Sequence, residues 1–149
     1  MEYNNYRIAK MRTYLFDIIN TLTTDRNYQI GADFLGKVGD FSLDKIPVQE
    51  QENWIIGTTK KREVYSFRSR KFYSQDTINN LKNIGFFEEF ENIIKSNNNK
   101  GILPDIENIE SIECLNPGTL NMVDDTQAIF DIQIQITYLD DGEIKPISL

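Results

Sequence analysis

The chain has 149 residues, a formal charge of −7 and no histidine. That length predicts one domain, and the missing histidine removes the commonest general base, the commonest metal ligand and every Ser-His or Cys-His dyad. The single cysteine, Cys114, excludes an intramolecular disulfide and any Cys-x-x-Cys zinc or redox site.

The first element predicted is a helix within residues 5–24. Tyr6, Met11, Tyr14, Leu15, Ile18 and Leu22 fall at helical spacing, with Asn4 or Asn5 as the N-cap. Residues 26–50 read as irregular, because Gly31, Gly36, Gly39 and Pro47 interrupt short apolar pieces. These glycines lack the spacing of a phosphate loop. A loop this long implies an interface or ordering by a partner, which makes Phe34, Leu35, Phe41 and Ile46 candidate contact residues.

Residues 52–70 predict a β-hairpin turning near Gly57. Its second strand puts Tyr65, Phe67 and Ser69 on one face and Arg62, Val64, Ser66 and Arg68 on the other. Lys60, Lys61, Arg62, Arg68, Arg70 and Lys71 make this the most basic segment. Basic residues among aromatics suit nucleic-acid stacking, but a wet, charged strand face explains them as well, and the acidic total favours the latter.

Residues 75–98 predict a helical pair capped by Ser74, with Gly85 kinking or splitting it. Asn97-Asn98-Asn99-Lys100-Gly101 and Pro104 mark its stop. Glu88, Glu89 and Glu91 read as a solvated face, since no second acidic helix faces them. Residues 107–115 predict a strand, and 127–138 predict the clearest one, in which Ala128, Phe130, Ile132, Ile134, Ile136 and Tyr138 alternate with a mostly polar row. Asp124-Asp125 and Asp140-Asp141-Gly142-Glu143 are acidic turns without the ligand spacing of a calcium loop. The fold class predicted is α+β: an antiparallel-rich central sheet of about four strands, with the N-terminal helix and the kinked helical pair packed on it. Residues 1–149 form one domain, and 142–149 a possible C-terminal arm.

No apolar run approaches the ~20 residues of a membrane span, and the start Met1-Glu2-Tyr3-Asn4-Asn5 is not that of a signal peptide. The expectation is a protein made in the cytosol that leaves it only within a larger particle. Charge is divided along the chain. Residues 1–104 hold 15 basic and 13 acidic groups, a net of +2, whereas residues 105–149 hold one basic and ten acidic, a net of −9. Such polarity suits head-to-tail self-association, although a solvated acidic end accounts for it too. Lys60, Lys61, Arg62, Arg68 and Arg70 facing Asp140, Asp141 and Glu143 of a neighbour would be that contact.

Three stretches carry a resemblance. They are Phe67-Arg68-Ser69-Arg70-Lys71-Phe72-Tyr73; Gly85-Phe86-Phe87-Glu88-Glu89-Phe90 running on to Lys100-Gly101-Ile102-Leu103-Pro104; and Thr119-Leu120 through Asp125-Thr126-Gln127-Ala128 to Gln133-Ile134-Gln135-Ile136-Thr137-Tyr138. A weaker echo is Phe34-Leu35-Gly36 with Ile46-Pro47. In this order the chain resembles the tail terminator proteins of long-tailed bacteriophages, in the branch labelled minor capsid protein in phages of Gram-positive bacteria. It departs from that pattern at Arg68, where the family is apolar or small, and its N-terminus and last ten residues match nothing in it.

The resemblance implies a non-enzymatic structural protein without cofactors. It implies a homohexameric ring that caps the tail tube, stops its polymerisation and meets the head-side connector or neck. In a contractile tail the ring also meets the sheath, and in a tailocin it forms the collar. The implied location is the head-proximal end of the tail, after assembly in the host cytoplasm, with DNA passing through the lumen without specific binding. The alternatives are another head-tail joining or tail completion protein and, from a different class, a nucleic-acid-binding regulator using strand 60–71.

Overall fold

The structure is a computed structural model in which residues 3–24, 27–47, 53–55, 58–72, 77–116, 118–122 and 126–140 are described. A short 3-10 turn, Tyr3–Asn5, leads into helix α1, Arg7–Leu22. Strands β1 (Ile30–Ala32), β2 (Phe41–Ile46), β3 (Asn53–Ile55) and β4 (Thr58–Phe72) follow. Next come helix α2 (Thr77–Lys100) and strands β5 (Ile109–Cys114), β6 (Thr119–Met122) and β7 (Gln127–Asp140).

The sheet order is β1-β2-β4-β7-β5. β3 pairs with β4 beyond the end of β2, and β6 pairs with β7 beyond the end of β5. Among the described residues seven strands therefore occupy five lanes, and every pairing except the parallel β1–β2 is antiparallel. The spine is β4–β7, in unbroken register from Thr59↔Asp140 to Phe72↔Gln127. At ~3.3 Å per residue this ribbon is about 45 Å long.

Helices α1 and α2 cover one face of the sheet. Met11, Leu15, Ile18 and Ile19 of α1 and Phe90 and Ile94 of α2 bury against Phe41, Leu43, Tyr65, Phe67, Ile112, Ile132, Ile134 and Ile136. Aromatic rings tie the layers together: Phe67 stacks between Phe41 (5.1 Å) and Phe90 (5.3 Å), and Phe87 stacks on Phe130 (4.9 Å).

The mixed architecture matches the sequence-based expectation, including the β3–β4 hairpin, whose register closes at Ile55↔Thr58. Three details differ. The kinked helical pair is a single helix. Gly85 does not break it, because the aromatic residues that follow, Phe86, Phe87 and Phe90, anchor the helix on the sheet, and tertiary packing outweighs a propensity cost of about 1 kcal/mol. The sheet has more than about four strands, because β1 and β2 lie inside the region read as irregular and β6 had no sequence signal. The cap of α1 is Tyr6 without a side-chain bond, since Asn4 and Asn5 are wound into the preceding 3-10 turn.

The helix stop is as expected. Gly101 takes φ +73; its N–H donates to Asn98 O (3.2 Å) and that of Ile102 to Asn97 O (2.8 Å), which satisfies two terminal carbonyls. Ser74, Gly57, Asp124, Asp125 and the 142–149 arm lie outside the described residues.

The loop between β1 and β2 is ordered from within the chain. The buried Asp40 carboxylate accepts from the backbone N–H of Gln29 (3.0 Å) and Lys37 (3.2 Å), and Gly39 N–H donates to Arg70 O (2.8 Å). At Gly31 a Cβ would fall 2.2 Å from Phe34 O, so the turn requires glycine.

Candidate interaction surface

The second face of the sheet has no helix on it among the described residues. Strand parity determines its composition. Opposite Phe41 and Leu43 the face shows Ser42, Asp44 and Ile46 of β2; opposite Tyr65 and Phe67 it shows Arg62, Val64, Ser66, Arg68 and Arg70 of β4. From β7 come Ile129, Asp131, Gln133, Gln135 and Thr137, and from β5 Glu113.

These side chains bond to one another across strands. Arg68 Nη2 lies 2.7 Å from Asp44 Oδ2, which shares its carboxylate with Ser42. Ser66 donates to Asp131 (2.7 Å). Arg62 Nη1 donates to Gln135 Oε1 (3.2 Å), and Gln135 Nε2 donates to Glu113 (2.9 Å). Arg70 donates to Gly36 O (3.1 Å) and Gln127 Oε1 (3.1 Å). The result is a laced network of fixed polar side chains across four strands.

The sequence-predicted contact residues divide into three groups. Phe34 is 70% exposed at the loop tip, and Leu35 and Ile46 are half-buried. Phe41, by contrast, is only 3% exposed and holds the core between Phe67 and Tyr28, so its side chain has no free surface for a partner. Lys60 pairs with Glu110 (3.2 Å), Lys61 with Asp140 (3.2 Å) and Arg68 with Asp44. Much of the charge expected to reach a neighbour is therefore met within the chain, because antiparallel pairing brings Asp140 beside the start of β4. Asp141 and Glu143 lie outside the described residues. Arg62 and Arg70 have no described carboxylate within ion-pair distance.

The sheet's edges are guarded. On β5 the outward N–H of Ile112 donates to Asn98 Oδ1 of α2 (2.9 Å). On β1 the carbonyl of Ile30 accepts from Arg12 Nε (2.7 Å). Side chains that occupy edge groups discourage strand addition.

A second cluster, on the covered face, was missed by sequence reasoning. Glu63 is 5% exposed. It accepts from Arg7 Nε and Nη2 (both 2.9 Å) and from the Tyr65 hydroxyl (2.7 Å), with Lys45 Nζ at 3.0 Å. Burial alone would raise its pKa, but the bonds from Arg7, Tyr65 and Lys45 outweigh that and hold it at about 2. The same burial and the Glu63 carboxylate push the Tyr65 hydroxyl upward, and the Arg7 guanidinium lies 4.8 Å over the Tyr138 ring. With its donors in place Glu63 is an ionised structural anchor and no proton acceptor near neutral pH. Its signal was legible: Glu63 has the same strand parity as Tyr65 and Phe67.

Glu88 and Glu89 are exposed, as expected, but Glu91 accepts the N–H of Gly118 (3.0 Å) and so ties α2 to the turn before β6. Cys114 is half-buried, and burial, with Glu91 and Glu113 nearby, pushes its thiol up to about 12, far from a reactive thiolate. Among the described residues no group of three acidic or thiol ligands could hold a metal ion, and no helix is long and apolar enough to cross a membrane. No protein-family model matches the sequence, and a search of curated proteins finds no match.

Proposed function

We propose that this chain is a structural ring subunit at the head-proximal end of a phage or tailocin tail. It caps the tail tube, stops its polymerisation and meets the connector or collar. The observation that carries the reading is where the stretches resembling tail terminators sit. Phe67 of the first, Phe86, Phe87 and Phe90 of the second and Phe130 of the third pack into one aromatic layer at one end of the β4–β7 ribbon. Residues far apart in sequence thus share one packing unit, as expected of the core of a common fold.

The uncovered sheet face supports the same role. A capping protein needs broad surfaces rather than a reaction centre, and this face is a polar network fixed across four strands by bonds within the chain. It is poorly suited to nucleic acid. Asp44, Asp131 and Glu113 stand among its arginines and would repel a phosphate backbone. Electron cryomicroscopy of particles carrying this protein tests the reading. A single ring of it on the last tube ring is the expected result. Its presence along the whole tube, or its absence from the tail end, refutes termination.

A further inference from the structure

The geometry points to a small-molecule site in the cavity between the first half of α1 and edge strand β1, whose ligand is an apolar carboxylate of roughly ten non-hydrogen atoms. The site stands independently of the ring reading.

Three observations select this ligand class. The first is space. The cavity holds about 280 Å3. It exists because the helix meets the strand across Ala9, Gly31 and Ala32, which carry at most one side-chain carbon each. Gly31 cannot be enlarged to fill it, since a Cβ there would fall 2.2 Å from Phe34 O. A cavity of about 150 Å3 accepts benzene, so this one suits roughly ten heavy atoms. The second observation is the wall. Leu43, fully buried, lies at the floor, the half-buried Ile8 and Tyr6 line the sides, and Tyr3 stands exposed at the rim. The Thr13 hydroxyl, also on the wall, donates to Ala9 O within the helix (3.2 Å). An apolar body entering here leaves water for apolar surroundings. The third observation is charge. Arg12 is the one charged residue among the described residues of the wall. Its Nε donates to Ile30 O (2.7 Å), which fixes the guanidinium at the strand edge. No carboxylate among the described residues pairs with it. Its Nη groups present a planar fork that matches a carboxylate. Arg12 is exposed, so the pair stays hydrated and adds selectivity for the acid more than affinity.

Titration calorimetry of the full chain with 3-phenylpropionate tests this, with 3-phenylpropanamide as the neutral control of the same size. The acid should bind at one site with a Kd of about 1 mM, and the amide about tenfold more weakly. Arg12→Gln should lower the acid to the level of the amide and leave the amide unchanged, a split that loss of folding does not produce. Arg12→Lys should keep part of the preference, because it keeps the charge without the fork. Ala9→Phe fills the cavity from the helix side and should abolish binding of both compounds. Ala32→Leu fills it from the strand side and serves as the second variant should Ala9→Phe fail to fold. No saturation at about ten times the expected Kd overturns the site. So does equal affinity for acid and amide, or binding that survives in a folded Ala9→Phe or Ala32→Leu chain. Self-association of the wild-type chain that Ala9→Phe removes assigns the cavity to a second copy, and overturns the small-molecule site as well.

Discussion

The two faces of the β4–β7 ribbon are built from the same strands, one residue out of step, yet they are held by different physics. On the covered face Tyr65, Phe67, Ile132, Ile134 and Ile136 are fully buried beneath two helices. On the other face Ser66 and Gln135 are buried and Arg62, Arg68 and Asp131 half-buried, and they are held in cross-strand hydrogen bonds and ion pairs. The comparison teaches that apolar burial is concentrated on one face, while the other is held by polar pairs between strands. Apolar burial contributes through area, whereas a half-buried ion pair such as Arg68–Asp44 contributes less, because desolvation of both charges offsets much of their attraction.

Truncation of the aromatic layer should produce the largest effect. Phe90→Ala removes a fully buried ring stacked on Phe67 and should cost about 3–5 kcal/mol, read as a lower midpoint in chemical denaturation. A loss below 1 kcal/mol would mean that the two faces do not differ as described.

Glu63 is the exception on the covered face. Glu63→Ala leaves the Arg7 and Lys45 charges with no carboxylate in the cluster and should cost about 3 kcal/mol. The pH dependence has a definite sign. The folded-state value is about 2 against an ordinary 4.5, so the stabilisation is complete above pH 4.5 and is lost as pH falls toward 2, by about 3 kcal/mol in all. Acid titration of wild type and Glu63→Ala should therefore converge at low pH. Curves that stay parallel would remove Glu63 from the account.

Gly85→Ala has the opposite sign. The helix runs through this position, and an added Cβ meets nothing within 4 Å, so the substitution should stabilise by about 1 kcal/mol in thermal melts. A destabilised variant would mean that the helix needs the kink its sequence suggested. The smallest effect belongs to the open face. Arg68→Ala breaks the Asp44 pair yet should change stability by no more than about 1 kcal/mol, and less in high salt. A larger loss would make that face part of the core rather than a surface.

Legibility followed the length of each periodic signal. The strict alternation of residues 127–138 matches β7 and its inward row of Ala128 to Tyr138, and Gly101 marked the helix end. β2 was hidden because only Phe41 and Leu43 signal its inward face, among glycines that serve the neighbouring turn, and Lys45 occupies the next inward position to meet Glu63. The candidate surface was half visible. The basic residues of strand 60–71 stood out, but their partners Asp44, Gln135, Glu110 and Asp140 are distant in sequence.

By itself the sequence determined the α+β class, the antiparallel bias, the two helical segments and the parity of the long strands, because these follow from local periodicity and turn residues within a few positions. Only the tertiary structure decided the lane order, the continuity of α2, the burial of Phe41 and which charges pair within the chain. Each of these depends on groups brought together across tens of residues, where pairing register and packing outweigh local preference.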